Sequence, residues 1–119
     1  MRIVYVAGPF RAETQRQREM NARLAEDVAL MVWEAGALAI CPHRNSGQFY
    51  GAIPEDVVIE GYRELVGRCD ALVLCLSDVQ CDMSRGVAAE VSAARKTGVL
   101  TFAYPDQWFT FVKWLEESK

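Results

Sequence analysis

Apolar residues in this chain gather in short runs that alternate with longer segments of helical spacing. Residues 2–7, RIVYVA, are closed by Gly8-Pro9, the pattern of a strand buried on both faces. From about 15 to 34, Met20, Leu24, Val28, Met31 and Val32 recur at helical spacing, and Gly36 ends the segment. ALAIC at 37–41 is a second strand, stopped by Pro42. The stretch PHRNSGQFYGAIP at 42–54 is rich in Pro, Asn, Ser and Gly and predicts a loop. Pro54 suits the first turn of a second helix, with Glu55 and Asp56 complementing its dipole and Val58, Ile59, Tyr62, Leu65 and Val66 along it.

DALVLCL at 70–76 is the most apolar strand. It is followed by the polar loop SDVQCD, a helix over about 83–96 closed by Gly98, and a fourth strand, VLTFAY. Pro105 opens a last helix in which Trp108, Phe111, Val112 and Leu115 share one face. Strand and helix alternate throughout, which predicts one α/β domain over 1–119 of the small, doubly wound, flavodoxin- or Rossmann-like kind. It should hold about four parallel strands in the order 2-1-3-4, with helices on both faces and right-handed crossovers. Ligands bind such sheets outside the carboxyl ends of the strands where the order reverses, here between strands 1 and 3. The loops GPFRAE, SDVQCDMSRG and PHRNSG should therefore line the site.

Composition narrows what that site can hold. The 119 residues are 51% hydrophobic and 24% charged, an ordinary globular balance. A net charge of −3 gives no basic surplus for a nucleic-acid surface, although a small anion held by a few local donors remains possible. Cys41, Cys69, Cys75 and Cys81 contain no Cys-x-x-Cys pair and have one histidine to join them, so no metal is expected. MRIVYVAGPF reaches a Gly-Pro turn too soon for a signal peptide, and no stretch is apolar enough for a membrane span. A cytoplasmic chain with reduced thiols is the expectation.

Neither G-x-x-x-x-G-K-[ST] nor G-x-G-x-x-G follows strand 1, which removes the main support for NTPase and dinucleotide-dehydrogenase chemistry. A receiver domain would need clustered acids after strand 1, and AGPF has none. Gly8-Pro9 is a tight turn that by itself need only end the strand. Arg11 beyond it can pair with a phosphate or a carboxylate. Ser84 and Gly86 at a helix start offer a hydroxyl and uncovered backbone N–H groups to an anion, while Asp82 or Ser84 acting as a simple helix cap explains the same residues.

SRGVAAE at 84–90 adds a carboxylate. Helical side chains lean toward the N-terminus, so Glu90 lies over the turn containing Gly86, where no side chain covers it. Val87, Val91 and Ala94 take the core-facing stripe, leaving Glu90 at its edge and looking toward the strand ends. A solvated helix glutamate is the commoner case; cleared space beside an anion-binding turn suits a nucleophile.

These residues together resemble the nucleoside 2-deoxyribosyltransferase family, which includes nucleoside 5'-monophosphate N-glycosidases and short uncharacterised bacterial and phage relatives. YVAGPFR at 5–11, CPHRN at 41–45, CDALVL at 69–74 and SRGVAAEVSAA at 84–94 carry the likeness, which spans most of the chain. The resemblance implies cleavage of an N-glycosidic bond, by hydrolysis or base transfer, with no cofactor. Glu90 would be the nucleophile at the anomeric carbon, and Tyr5 would contact the sugar and the nucleophile. Gly8, Pro9, Phe10, Arg11, His43, Asn45, Asp78, Asp82, Ser84 and Gly86 would surround the substrate, with Ser84 and Gly86 holding a 5'-phosphate.

Relatives carry an aspartate where this chain has Tyr62. A phenol with an ordinary pKa near 10 can donate to a leaving base but is a poor general base at neutral pH. Asp78, Asp82 and His43 are the alternatives for that role, whereas Asp70, at the opposite end of the sheet, is structural. Family members associate, so a homodimer or higher homo-oligomer is implied; Phe109 and Trp114 exceed the needs of one core stripe and suit a subunit interface. Two functions follow: an enzyme acting on a nucleoside or its 5'-monophosphate, or a nucleotide-binding protein of the same fold without turnover.

Overall fold

A computed structural model describes residues 1–75 and 85–119. Four strands, β1 (Ile3–Ala7), β2 (Leu38–Ile40), β3 (Ala71–Cys75) and β4 (Leu100–Tyr104), form one parallel sheet in the order β2-β1-β3-β4. The helices are α1 (Gln15–Glu34), α2 (Pro42–Asn45), α3 (Glu55–Val66), α4 (Arg85–Thr97) and α5 (Trp108–Glu117). This is the α/β architecture and strand order that the alternating pattern predicts. None of the described helices is long and apolar enough to cross a membrane.

The period-two alternation of strand side chains sorts the core into two clusters. Val4, Val6, Ala71, Val73 and Phe102 face one way and pack with residues of α1 and α5. Tyr5, Ala7, Leu72 and Leu74 face the other way and pack with Val66 of α3 and Val87, Val91 and Ala94 of α4. At the lower end, Asp70 Oδ2 accepts from the Ile3 amide at 2.8 Å while the Asp70 amide donates to the Ile3 carbonyl at 2.8 Å. That pair locks β3 to β1, the structural role expected of Asp70.

Several details depart from the sequence expectation. The buried face of α1 is Asn21, Ala22, Ala25, Val28, Ala29 and Val32, and Met20 is 54% exposed. Small alanines let the helix lie close to the sheet, so the larger Met20, Leu24 and Met31 end up on its flank. Residues 42–54 contain α2 and a 3-10 turn, Gly47–Phe49, where a plain loop was expected. Pro42 lacks an N–H that a first helical turn would leave unpaired, and the amides of Asn45 and Ser46 close the turn onto Cys41 and Pro42.

The last helix starts at Trp108, three residues beyond Pro105. Gln107 holds the intervening turn, its amide donating to the Ala103 carbonyl and its side-chain oxygen accepting from the Ala103 amide, both at 2.7 Å. Trp114 is partly buried and packs against Phe102 and Phe111 of the core, with ring centroids 5.7 and 6.1 Å away. Phe109 remains 87% exposed.

Candidate functional site

A cleft of about 150 Å³ opens at the carboxyl ends of the strands, on the β1–β3 side where the order reverses. Its floor begins at Gly8. A Cβ there would meet the Cβ and carbonyl oxygen of Cys75 at 3.2 Å, so the bare backbone lets the end of β1 lie against the end of β3. Gly86, Val87 and Glu90 of α4 form one wall; Val58, Ile59 and Tyr62 of α3 form a second. Residues 42–53 form the third, through His43, Ser46, Phe49, Tyr50 and Ile53.

Glu90 sits one turn after Gly86, as helical geometry requires. A Cβ built on Gly86 would lie 3.9 Å from Glu90 Oε1 and 3.9 Å from Ile59 Cγ1, so the carboxylate passes over bare backbone. Its Oε2 is buried without a hydrogen-bond partner. Burial raises the Glu90 pKa to about 7, and the nearby Tyr5 hydroxyl opposes the rise. Tyr5 Oη is buried too and completes no hydrogen bond of its own, and burial beside Glu90 pushes its pKa far above the phenol range. The pair is held close but under-satisfied, a costly arrangement in a low-dielectric interior.

Tyr5 is fully buried and does not line the cleft. Its strand position points it beneath Glu90 toward α3 and α4, so it meets the proposed nucleophile and not a ligand in the cleft. Tyr62 does line the cleft, with its ring edge-on to Tyr5 at 6.3 Å. Asn45 is absent from the lining; its Nδ2 donates to Tyr62 Oη at 2.8 Å, and Ser46 Oγ lies 2.6 Å from the same oxygen.

His43 is buried and pairs through Nε2 with the Pro9 carbonyl at 3.0 Å. A carbonyl can only accept, so Nε2 carries the proton; Nδ1 is buried without a partner, and burial lowers the His43 pKa and favours the neutral ring. Pro9 therefore serves through its backbone, outside the cleft lining. Phe10 lines the cleft and meets His43 and Tyr50 edge-on at 5.7 and 5.9 Å. At the mouth, Arg11 pairs with Glu55 at 2.9 Å and lies 5.0 Å from the Tyr50 ring centroid, while Arg18 approaches that ring at 4.3 Å.

The structure thus brings Gly8, Phe10, Arg11, His43, Tyr62, Gly86 and Glu90 to one cleft. Asp78, Asp82 and Ser84 lie outside the described residues. Ser46, expected only as part of the lining loop PHRNSG, does line the cleft, while Phe49, Tyr50, Ile53 and Glu55 were missed as lining residues; the adjacent aromatics Phe49 and Tyr50 in a Gly-rich segment were the available signal. Among the described residues, no group of three His, Cys, Asp or Glu is placed to hold a metal ion. No protein-family model matches the chain, and no curated protein does either.

Proposed function

We propose that this cleft binds a nucleoside or nucleoside 5'-monophosphate and that Glu90 attacks the anomeric carbon to cleave the N-glycosidic bond. The observation that carries this reading is a carboxyl group set over the bare backbone of Gly86, half in the core and half in an aromatic-lined cleft at the switch point of the sheet. N-glycoside cleavage passes through an oxocarbenium-like state, which a carboxylate on one face stabilises or captures. Phe10, Phe49 and Tyr50 offer ring faces and edges to a base, and Arg11 offers a charge to an anionic group.

Only ionised Glu90 is a nucleophile. With its pKa raised to about 7 by burial, the ionised fraction and hence the rate climb as pH passes upward through that value. Binding without turnover is the second reading, favoured by Tyr62 standing where the resembling family has an aspartate. A cytoplasmic homodimer completes the proposal, with Phe109 as the exposed candidate for the contact.

Incubation with a panel of nucleosides and 5'-monophosphates, with free base read by chromatography, tests the function. Base release by the parent and its loss in Glu90→Gln is the expected result. Nucleotide binding with no base released by the parent selects the second reading.

A further inference from the structure

Tyr62 lines the cleft, and its hydroxyl has two side-chain hydrogen-bond partners, Asn45 and Ser46. A phenol oxygen has one proton and two lone pairs. Asn45 Nδ2 at 2.8 Å occupies one lone pair, and Ser46 Oγ at 2.6 Å occupies the other whenever it donates. The Ser46 hydroxyl also reaches the Pro42 carbonyl as acceptor at 3.4 Å, and either oxygen of the 2.6 Å Ser46–Tyr62 pair can be the donor. When Ser46 donates to Tyr62, both lone pairs are engaged and the Tyr62 proton is left for the cleft.

The element supplying those donors is braced. Asn45 is the last residue of α2 and Ser46 follows it, and the neighbouring Arg44 ties that helix to α1 through Glu19 at 3.0 Å and Glu26 at 2.7 Å. Glu90 and Tyr62 come from different helices yet line the same small cleft.

Resting on the function proposed above, we infer that Tyr62, positioned by Asn45 and Ser46, protonates the departing base and then deprotonates the attacking water. In the first half, a Glu90 oxygen bonds to the anomeric carbon as the carbon–nitrogen bond breaks. The electron pair goes to the base nitrogen, which takes the Tyr62 proton. The phenolate left behind accepts from Asn45 and Ser46. In the second half, water gives a proton to that phenolate, its oxygen bonds to the anomeric carbon, and the ester electron pair returns to Glu90. Water is consumed, base and sugar are released, and both side chains are restored. A neutral phenol is a poor base, but the phenolate formed in the first half is a strong one, so the missing carboxylate is not required.

The test compares the best natural substrate from the nucleotide panel with the 4-nitrophenyl glycoside of the same sugar, whose leaving group departs as a stable anion needing no proton. Removing a general acid costs about 100-fold or more on the substrate that needs one. Tyr62→Phe should therefore lower the ratio of natural to 4-nitrophenyl turnover about 100-fold. Ser46→Ala and Asn45→Ala, each removing one bond to the phenol oxygen, should lower it about tenfold. A ratio unchanged from the parent in Tyr62→Phe, or in both positioning variants, overturns the inference while leaving the Glu90 function standing. A parent that releases no base from the panel overturns that function and this inference with it.

Discussion

On the α1/α5 side of the sheet, Val32, Phe102, Phe111 and Leu115 pack into a cluster of apolar side chains, with the Phe102 and Phe111 rings 5.5 Å apart. On the α3/α4 side, the sheet presents Tyr5 to Glu90, and Tyr5 Oη and Glu90 Oε2 are both buried without hydrogen-bond partners. Both faces belong to one sheet and differ in what is buried on them. The first removes apolar surface from water and has little chemistry to offer. The second keeps an acid partly desolvated beside a cleft, an arrangement that costs stability and supplies a group whose protonation changes near neutrality.

The largest expected effect sharpens this contrast. Phe111 is fully buried, so Phe111→Ala should cost about 3–5 kcal/mol in urea unfolding. Base release per folded molecule should stay at the parental level. A stable Phe111→Ala protein with impaired turnover would mean that the two faces are not separable.

Next comes the pH dependence of stability. In the unfolded chain Glu90 ionises near 4.5, whereas in the folded protein it ionises near about 7. Between those values the folded state holds the proton that the unfolded state has released, so stability falls as pH rises through this window. The shift corresponds to at most about 3 kcal/mol. Glu90→Gln carries no such group, and the unfolding free energy of the parent minus that of the variant should decline from pH 4.5 to 7. A difference independent of pH contradicts the burial assigned to this carboxyl. Activity should rise over the upper part of the same window, so one side chain sets stability and turnover against each other.

The smallest effect is at Gly86. An added methyl would make ordinary contacts at 3.9 Å with Glu90 and Ile59, so Gly86→Ala has room and should gain about 0.5–1 kcal/mol of helix stability. It should also slow base release, because the methyl fills the space over which the carboxylate lies. A variant both more stable and as active as the parent would show that the cleared space serves no purpose.

How far these features could be read from the sequence depended on the range of the interactions that create them. RIVYVA and DALVLCL are apolar runs punctuated by Gly-Pro and a polar loop, and their alternation with helical segments was enough for the strand order. The placement of Glu90 over Gly86 follows from helix geometry within four residues, so it too was legible. Of the third wall only PHRNSG at 42–47 was legible; Phe49, Tyr50 and Ile53 were not. Tyr50 joins the site by meeting Phe10, Arg11 and Arg18, which are 40, 39 and 32 positions earlier, and no local pattern records such meetings. Asn45 looked like a ligand contact for the same reason: its partner, Tyr62, lies 17 positions along the chain. The resemblance gave Tyr5 contacts with both the sugar and the nucleophile; the alternation within β1 turns it inward, beside Glu90 and out of the cleft lining.

Base release by Glu90→Gln beside the parent, on the same nucleotide and at a pH above 7, tests the central claim most directly. The amide keeps the shape of the side chain and removes its nucleophilicity, so a loss of about a thousandfold or more is expected. Turnover by Glu90→Gln equal to that of the parent would contradict the account.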